Sequence, residues 1–336
     1  MPKEISHIYF AEEIQKDLRP EIQQILKQNQ NLYYYGSTSP DLFYYYLPLR
    51  KQFHQIGRID WGKYIHDHKE NMNPIYLLLE WEKENLYSQS KKIFSFVAGY
   101  LTHVAADTIF HPYIYSITGH YYNPDKKLQK IAQRNHRIFE SKMDLFIIEN
   151  IYKTNLKQFQ LLQKLSLRDE EKEIINLYGI AIKESFSSDS NFNNNLMSEF
   201  TLFCYNNQMN LIKLFQSKQL LFLLSLLRYI HFEIDNTLCL CYSNHLKEYS
   251  IDFYHFEPAP HPITGETIEG NFFTFTEKIK SRGVLLIESA YDYLMNPQLN
   301  RKFLEKQIPH YSLNTGLIQI PNDRMQYFKL HPAFSY

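Results

Sequence analysis

Apolar residues along the chain recur mostly at three- and four-residue intervals rather than in alternation, a pattern that predicts helices and few strands. In residues 4–27, Ile8, Ala11, Ile14, Leu18 and Ile22 share one face, predicting a helix that stops at the polar cluster Gln28, Asn29 and Gln30. Residues 37–40 read as a turn, with Ser39 as N-cap and Pro40 at the first position of a short helix entered at Asp41. Residues 54–72 are polar and histidine-rich, and 73–87 read as an apolar, then acidic, helix. The strongest helical signal runs over 90–111, with Ile93, Val97, Tyr100, Val104 and Asp107 on or near one side; Pro112 predicts its end or a kink. Further helices are expected over 126–152 and 272–294.

Breakers divide the rest. The run 187–195 is rich in Ser and Asn and reads as a loop. Residues 256–270 carry three prolines, Gly265 and Gly270 and read as an irregular connection. Beyond Pro297 the chain is interrupted by Pro309, Gly316 and Pro321, leaving room for a short hairpin. The fold class is therefore all-α, a multi-helix bundle with an irregular C-terminal extension. Its expected divisions are residues 1–152, a helical remainder of the same domain over 153–300, and the extension 301–336.

Charge and composition narrow the function. Thirty-six basic side chains balance 36 acidic ones, so a broad electrostatic grip on nucleic acid is not expected. The longest apolar stretch noted, 220–224 with its continuation to Arg228, is too short to cross a bilayer and predicts a buried helix segment. The first residues lack the apolar run of a secretory signal, and three cysteines (Cys204, Cys239, Cys241) do not make a disulfide framework. A reducing, cytoplasmic location is the expectation. Ten glycines, roughly 3% of the chain against about 7% on average, leave little material for a glycine-rich phosphate loop. Histidine is the unusual count: 14 in all, eight of them before residue 140.

Those histidines fall beside carboxylates at helical spacing. His103, Asp107 and His111 are four apart on one helix, and His136, Glu140 and Asp144 on the next. Side chains four apart lie on the same face. The apolar stripe of Phe139, Met143 and Ile147 runs beside the second set and turns it inward. Buried carboxylates are costly unless paired or bound to metal. Imidazole with carboxylate suits Zn²⁺ or a similar divalent ion, and six such residues exceed one tetrahedral site. A cluster of two or three ions, the arrangement that clamps both oxygens in phosphodiester displacement, is the expectation.

The strings GYLTHVAADTIFHPYIY and HRIFESKMD resemble the zinc-dependent phospholipase C family, also called the phospholipase C/D domain. SHIYFAEEI is similar to its first helix, GSTSPDLFYY to its Gly-x-x-x-Pro-Asp segment, and IHDHKEN to a segment with a liganding histidine. HPYIY looks like the intracellular branch, and HPITGETIEGNFFTFTEKI like a later family segment of unassigned role. The resemblance implies the helical fold shared with single-strand nucleases. It implies one zinc on Asp41, His66, His103 and Asp107, with His68 as the alternative to His66. A second would lie on His111, His136 and Glu140, and a third would be held by His7 with Asp107 bridging. Secreted members complete that third site with their processed N-terminal residue. It also implies hydrolysis of a phosphodiester, with phospholipid as substrate, peripheral membrane contact, and Asp41 as both ligand and catalytic base. The competing readings are a zinc-dependent single-strand nuclease and a metal-stabilised helical binding protein without turnover.

Other residues have plainer readings. Asp144 is expected to accept a hydrogen bond from a ligating imidazole. His54 and His68 read as solvated, and His120 and the six histidines after residue 200 as structural. Cys239 and Cys241, with His245 close by, read as buried thiols on an apolar helix. The aromatic runs 33–35 and 43–46 read as core, with lining of an acyl or headgroup pocket as the other use.

Overall fold

The computed structural model of the chain describes residues 4–84, 91–186, 196–217, 238–242 and 244–334, together with 219, 220, 222 and 224. Its described part is built of helices. They are α1 (Glu4–Asp17), α2 (Pro20–Gln28), α3 (Gln30–Gly36), α4 (Trp61–Asp67), α5 (Asn73–Glu84), α6 (Lys92–Thr118) and α7 (Lys126–Phe146). After them come α8 (Leu156–Phe159), α9 (Leu161–Leu165), α10 (Asp169–Ser185), α11 (Met197–Phe215), α12 (Phe272–Met295) and α13 (Arg301–Gln307). The all-α class holds.

α6 is the axis of the fold. It contacts α1, α3, α5, α7 and α12. By length and hydropathy it is apolar enough to cross a membrane, but 89% of its most apolar window is buried inside the protein. A helix enclosed on all sides is apolar all round, and its periodicity fades accordingly. That enclosure also explains a departure from expectation: α6 does not end at Pro112 but continues to Thr118. Pro112 removes one N–H from the helix ladder, and burial of Tyr113, Ile114, Tyr115 and Ile117 holds the following turns in place.

Pro20 does break its helix. The single helix expected over 4–27 is two, separated at Leu18 and Arg19, with Pro20 opening α2. The short helix expected at Asp41 is a 3₁₀ helix, Ser39–Tyr45, with Thr38 rather than Ser39 preceding it. The helix expected over 126–152 ends as α at Phe146 and runs on as a π-turn, Ile147–Ile151. The irregular segment 256–270 holds a two-residue antiparallel ladder, Ala259 opposite Ile268 and Pro260 opposite Thr267. The short hairpin near the end reduces to one bridge, Tyr311 with Ile318. Loop 187–195 and most of the apolar run 220–228 lie outside the described residues; Phe222, within the latter, is exposed.

One crossing sets the geometry of the site. A Cβ on Gly99 of α6 would stand 2.0 Å from the carbonyl oxygen of Tyr33, and one on Gly36 of α3 would stand 2.2 Å from that of Phe96. Only backbone against backbone fits there. This contact brings the start of the 3₁₀ helix over the His103 face of α6. Gly99→Ala is expected to destabilise the fold by roughly 1–3 kcal/mol through overpacking, read as a lower urea midpoint, and to weaken zinc retention with it.

Candidate metal centre

Eight side chains converge beneath the α3–α6 crossing: His7 from α1, Asp41 from the 3₁₀ helix, His66 from α4, His103, Asp107 and His111 from α6, and His136 and Glu140 from α7. All are buried, none more than 5% exposed. Their donor atoms form three groups, each within 4.8 Å: His7, His103 and Asp107; Asp41, His66 and His103; His111, His136 and Glu140. Every residue marked as a ligand in the sequence is brought into this cluster.

Asp107 is the hub. Its Oδ2 lies 2.9 Å from His103 Nε2, 3.5 Å from His111 Nδ1 and 3.7 Å from His66 Nε2, while Oδ1 lies 3.6 Å from His7 Nε2. Asp41 bridges His66 (3.1 Å) and His103 (3.7 Å) with its two oxygens. Glu140 Oε1 faces His136 Nε2 at 3.0 Å and His111 Nε2 at 3.6 Å. The His7 ring stacks on His103 at 4.0 Å between centroids.

Three of the five imidazoles are oriented from behind by backbone carbonyls. Nδ1 of His66 faces Gly62 O at 2.7 Å, that of His103 faces Ser37 O at 2.9 Å, and that of His111 faces Leu313 O at 2.9 Å. An N–H donated there leaves Nε2 unprotonated with its lone pair pointing inward, the tautomer that a metal ligand needs. Asp144 has a different role from the one expected. One turn beyond Glu140, it meets the first turn of α1 and accepts from Ser6 N (2.8 Å), Ile5 N (3.3 Å), the Ser6 hydroxyl and Tyr242 Oη (2.6 Å). The opening N–H groups of a helix lack intrahelical acceptors, so Asp144 seats the helix that carries His7.

Electrostatics show that the cluster seeks positive charge. Burial alone would lower the pKa of His103, but Asp107 and then Asp41 outweigh it and raise it to about 9. His111 is raised too, Asp107 and Glu140 outweighing burial. Burial opposes ionisation of Asp107 and Glu140, yet the imidazoles around them, His103 first for Asp107 and His136 first for Glu140, hold both below the ordinary carboxylate range. Burial, reinforced by His103, drops His7 to about 3. Meanwhile six buried atoms of the cluster make no hydrogen bond among the described residues: His7 Nδ1, Asp41 Oδ1, His103 Nε2, Asp107 Oδ2, His136 Nδ1 and Glu140 Oε2. Buried polar atoms without a partner are expensive, the carboxylate oxygens of Asp41, Asp107 and Glu140 most of all, unless a cation satisfies them. The mixed imidazole and carboxylate set fits zinc.

A wall of phenols, not foreseen from the sequence as a unit, stands beside the cluster. Tyr115 lies 4.9 Å from His136 and 5.4 Å from His111 between ring centroids, Tyr121 lies 5.2 Å from His136, and Tyr44 lies 5.6 Å from His66. Burial raises Tyr44, Tyr115 and Tyr122 well above the ordinary phenol range, so all three remain O–H donors at neutral pH. Tyr44 thus faces the site, while Tyr33, Tyr35 and Phe43 are core. His68 takes no part in the cluster and is not solvated as expected. It stacks on Tyr64 at 4.4 Å and meets the edge of Phe186. His54 is exposed against Pro48 O, and His120 stacks on Phe328. Cys239 and Cys241 are buried thiols, and the His245 side chain lies outside the described residues.

A family model for zinc dependent phospholipase C matches residues 6–199, more than half of the chain and every residue of the cluster. The chain belongs to the zinc-dependent phospholipase C family. No curated protein and no solved structure matches. The family's name implies zinc, and the three donor groups could hold metal ions. His103 appears in two of the three groups, but its Nδ1 faces Ser37 O and only Nε2 is free, so it can serve one ion.

Proposed function

We propose that the chain is a zinc-dependent phosphodiesterase that cleaves a phospholipid on the glycerol side of its phosphate, releasing diacylglycerol and a phosphorylated headgroup. The observation that supports this most is the convergence of eight buried imidazole and carboxylate side chains into three donor groups within the family-matched segment. We assign one zinc to Asp41, His66, His103 and Asp107 and a second to His111, His136 and Glu140, with His7 available to a third. When bound, zinc supplies Lewis acidity, drawing electron density from the phosphoryl group and easing deprotonation of water.

The chain's own residues do the rest. Two divalent ions against three carboxylates leave one unit of positive charge, which matches a single phosphodiester anion. The force on substrate is therefore local, as zero net charge requires. Asp41 accepts the proton of the attacking water at a carboxylate oxygen. The carbonyls of Gly62, Ser37 and Leu313 hold His66, His103 and His111 in their inward tautomers. Tyr44, Tyr115 and Tyr121 pack their rings against His66, His111 and His136 at the margin and exclude bulk water there. A phospholipid substrate implies peripheral membrane contact, and three buried cysteines outside any disulfide support a reducing compartment.

The test is an assay panel on purified, zinc-loaded protein, with and without chelator, using phosphatidylcholine vesicles, a generic phosphodiester and single-stranded DNA. Chelator-sensitive release of diacylglycerol is expected. Cleavage of DNA alone would transfer the activity to the nuclease class, and inertness toward all three with zinc bound would leave a non-catalytic binding protein.

A further inference from the structure

The C-terminal extension contains a loop that is buried, which is unusual because loops carry backbone groups that need partners. Ser312, Leu313, Asn314 and Thr315 are each at most 3% exposed. The loop closes on itself, Ser312 N donating to Leu317 O at 2.9 Å and Gly316 N to Ser312 O at 2.8 Å. Its centre meets two metal-cluster residues at once. Leu313 N–H donates to the His66 carbonyl at 2.7 Å, and Leu313 C=O faces His111 Nδ1 at 2.9 Å.

Three features hold it there. Ser312 Oγ donates to Asp67 Oδ1 at 2.5 Å, and Asn322 N to Asp67 Oδ2 at 3.1 Å. Asn314 Oδ1 accepts from Tyr115 Oη at 2.8 Å. Gly316, at φ +69°, approaches α6 so closely that a Cβ would lie 2.3 Å from Thr108 O. Thr108 O is the carbonyl to which residue 112 would donate in an unbroken helix, and residue 112 is proline. The helix is thus open where the loop docks.

We propose that this loop is a positioning element for the metal centre: Leu313, through its backbone, fixes the ring of His111 and ties it to the helix that presents His66. It lies beyond the family-matched residues, so the chain completes the support of its second zinc site from outside that segment. The inference rests on the metal-centre reading above. Partners that orient a ligating imidazole are worth roughly 10–100-fold in metal affinity.

The test compares the full-length protein with Gly316→Val, which displaces the loop, and with the milder double change Ser312→Ala and Asn314→Ala, which removes only side-chain tethers. Each is loaded with zinc, dialysed and measured for zinc per chain, for the ¹⁵N tautomer signature of His111, and for the rise in melting temperature on adding zinc. Expected are a loss of one zinc per chain, affinity at that site weaker by roughly 10–100-fold, a changed His111 signature and a smaller zinc-dependent rise. Wild-type stoichiometry with an unchanged His111 signature, or equal losses of melting temperature with and without zinc, would overturn the positioning role. If Gly316→Val does not fold, the double variant decides. If the wild-type chain itself holds no zinc, the metal-centre reading fails, a different result from failure of the loop.

Discussion

Asp107→Asn is expected to abolish chelator-sensitive phosphodiester hydrolysis and to reduce the zinc bound per chain, with the helical content nearly unchanged. No other side chain of the cluster reaches as many partners: His7, His66, His103 and His111 all lie within 3.7 Å of its two oxygens. Asn keeps the volume but is neutral and has one acceptor oxygen instead of two. The substitution therefore removes an anionic ligand, breaks the link toward His7, and leaves His103 with only Asp41 as a nearby charge partner. Loss of a residue that merely supports a ligand costs about 10–100-fold, so loss of the hub should lower activity by more than ~100-fold. Asp125→Asn is the matched control. Asp125 is an exposed N-cap of α7, accepting from Lys127 N and Leu128 N, and Asn caps equally well. It should change neither zinc content nor rate. A near-normal rate in Asp107→Asn would remove the cluster from the chemistry.

What made Asp107 legible in the sequence was local spacing. His103, Asp107 and His111 are one and two turns apart, as are His136 and Glu140, and an α-helix converts that spacing directly into a shared face. Asp41 and His66 could not be read in that way. They sit on short elements whose placement depends on the Gly36–Gly99 crossing, so only the family resemblance pointed to them. The same divide explains the misreadings. Asp144 continued the helical stripe but met the first turn of α1, a long-range contact with no signature in spacing. Pro112 obeyed its local preference on paper and was overruled by enclosure of the turns after it. The supporting carbonyls of Ser37, Gly62 and Leu313 are backbone groups, which any residue type supplies, and so composition cannot disclose them. The extension looked like a tail because Pro309, Gly316 and Pro321 break periodicity. Gly316 is in fact what lets the tail enter the core.

Stripping the zinc is expected to lower stability more than any single substitution and to uncover a loss of stability with rising pH that the loaded protein lacks. An ion bound only by the folded chain stabilises it by mass action, and the ligands must be deprotonated to hold it. Without zinc, a proton on His103 takes over part of the role of the cation, since Asp107 and Asp41 outweigh burial and raise its pKa to about 9. His111 is raised in the same direction. An unfolded histidine titrates near 6.5. A folded value above that means the folded state holds more protons between the two, so the contribution is complete below pH ~6.5 and lost as pH rises through about 9. His7 and His136 are lowered, burial being the main cause in both. Above pH ~6.5 they are largely neutral folded or unfolded, and add little slope there. Asp107 and Glu140 are held low by their imidazoles against the effect of burial, and are ionised throughout this window. Their contribution disappears only on acidification. Metal-free protein should therefore lose up to a few kcal/mol between pH ~6.5 and ~9, whereas zinc-loaded protein should hold or gain stability as proton competition for the ligands falls. Melting temperatures of both forms at fixed ionic strength across this range test the exchange, and the two curves should diverge as pH rises. Parallel curves would mean that no proton stands in for zinc at His103.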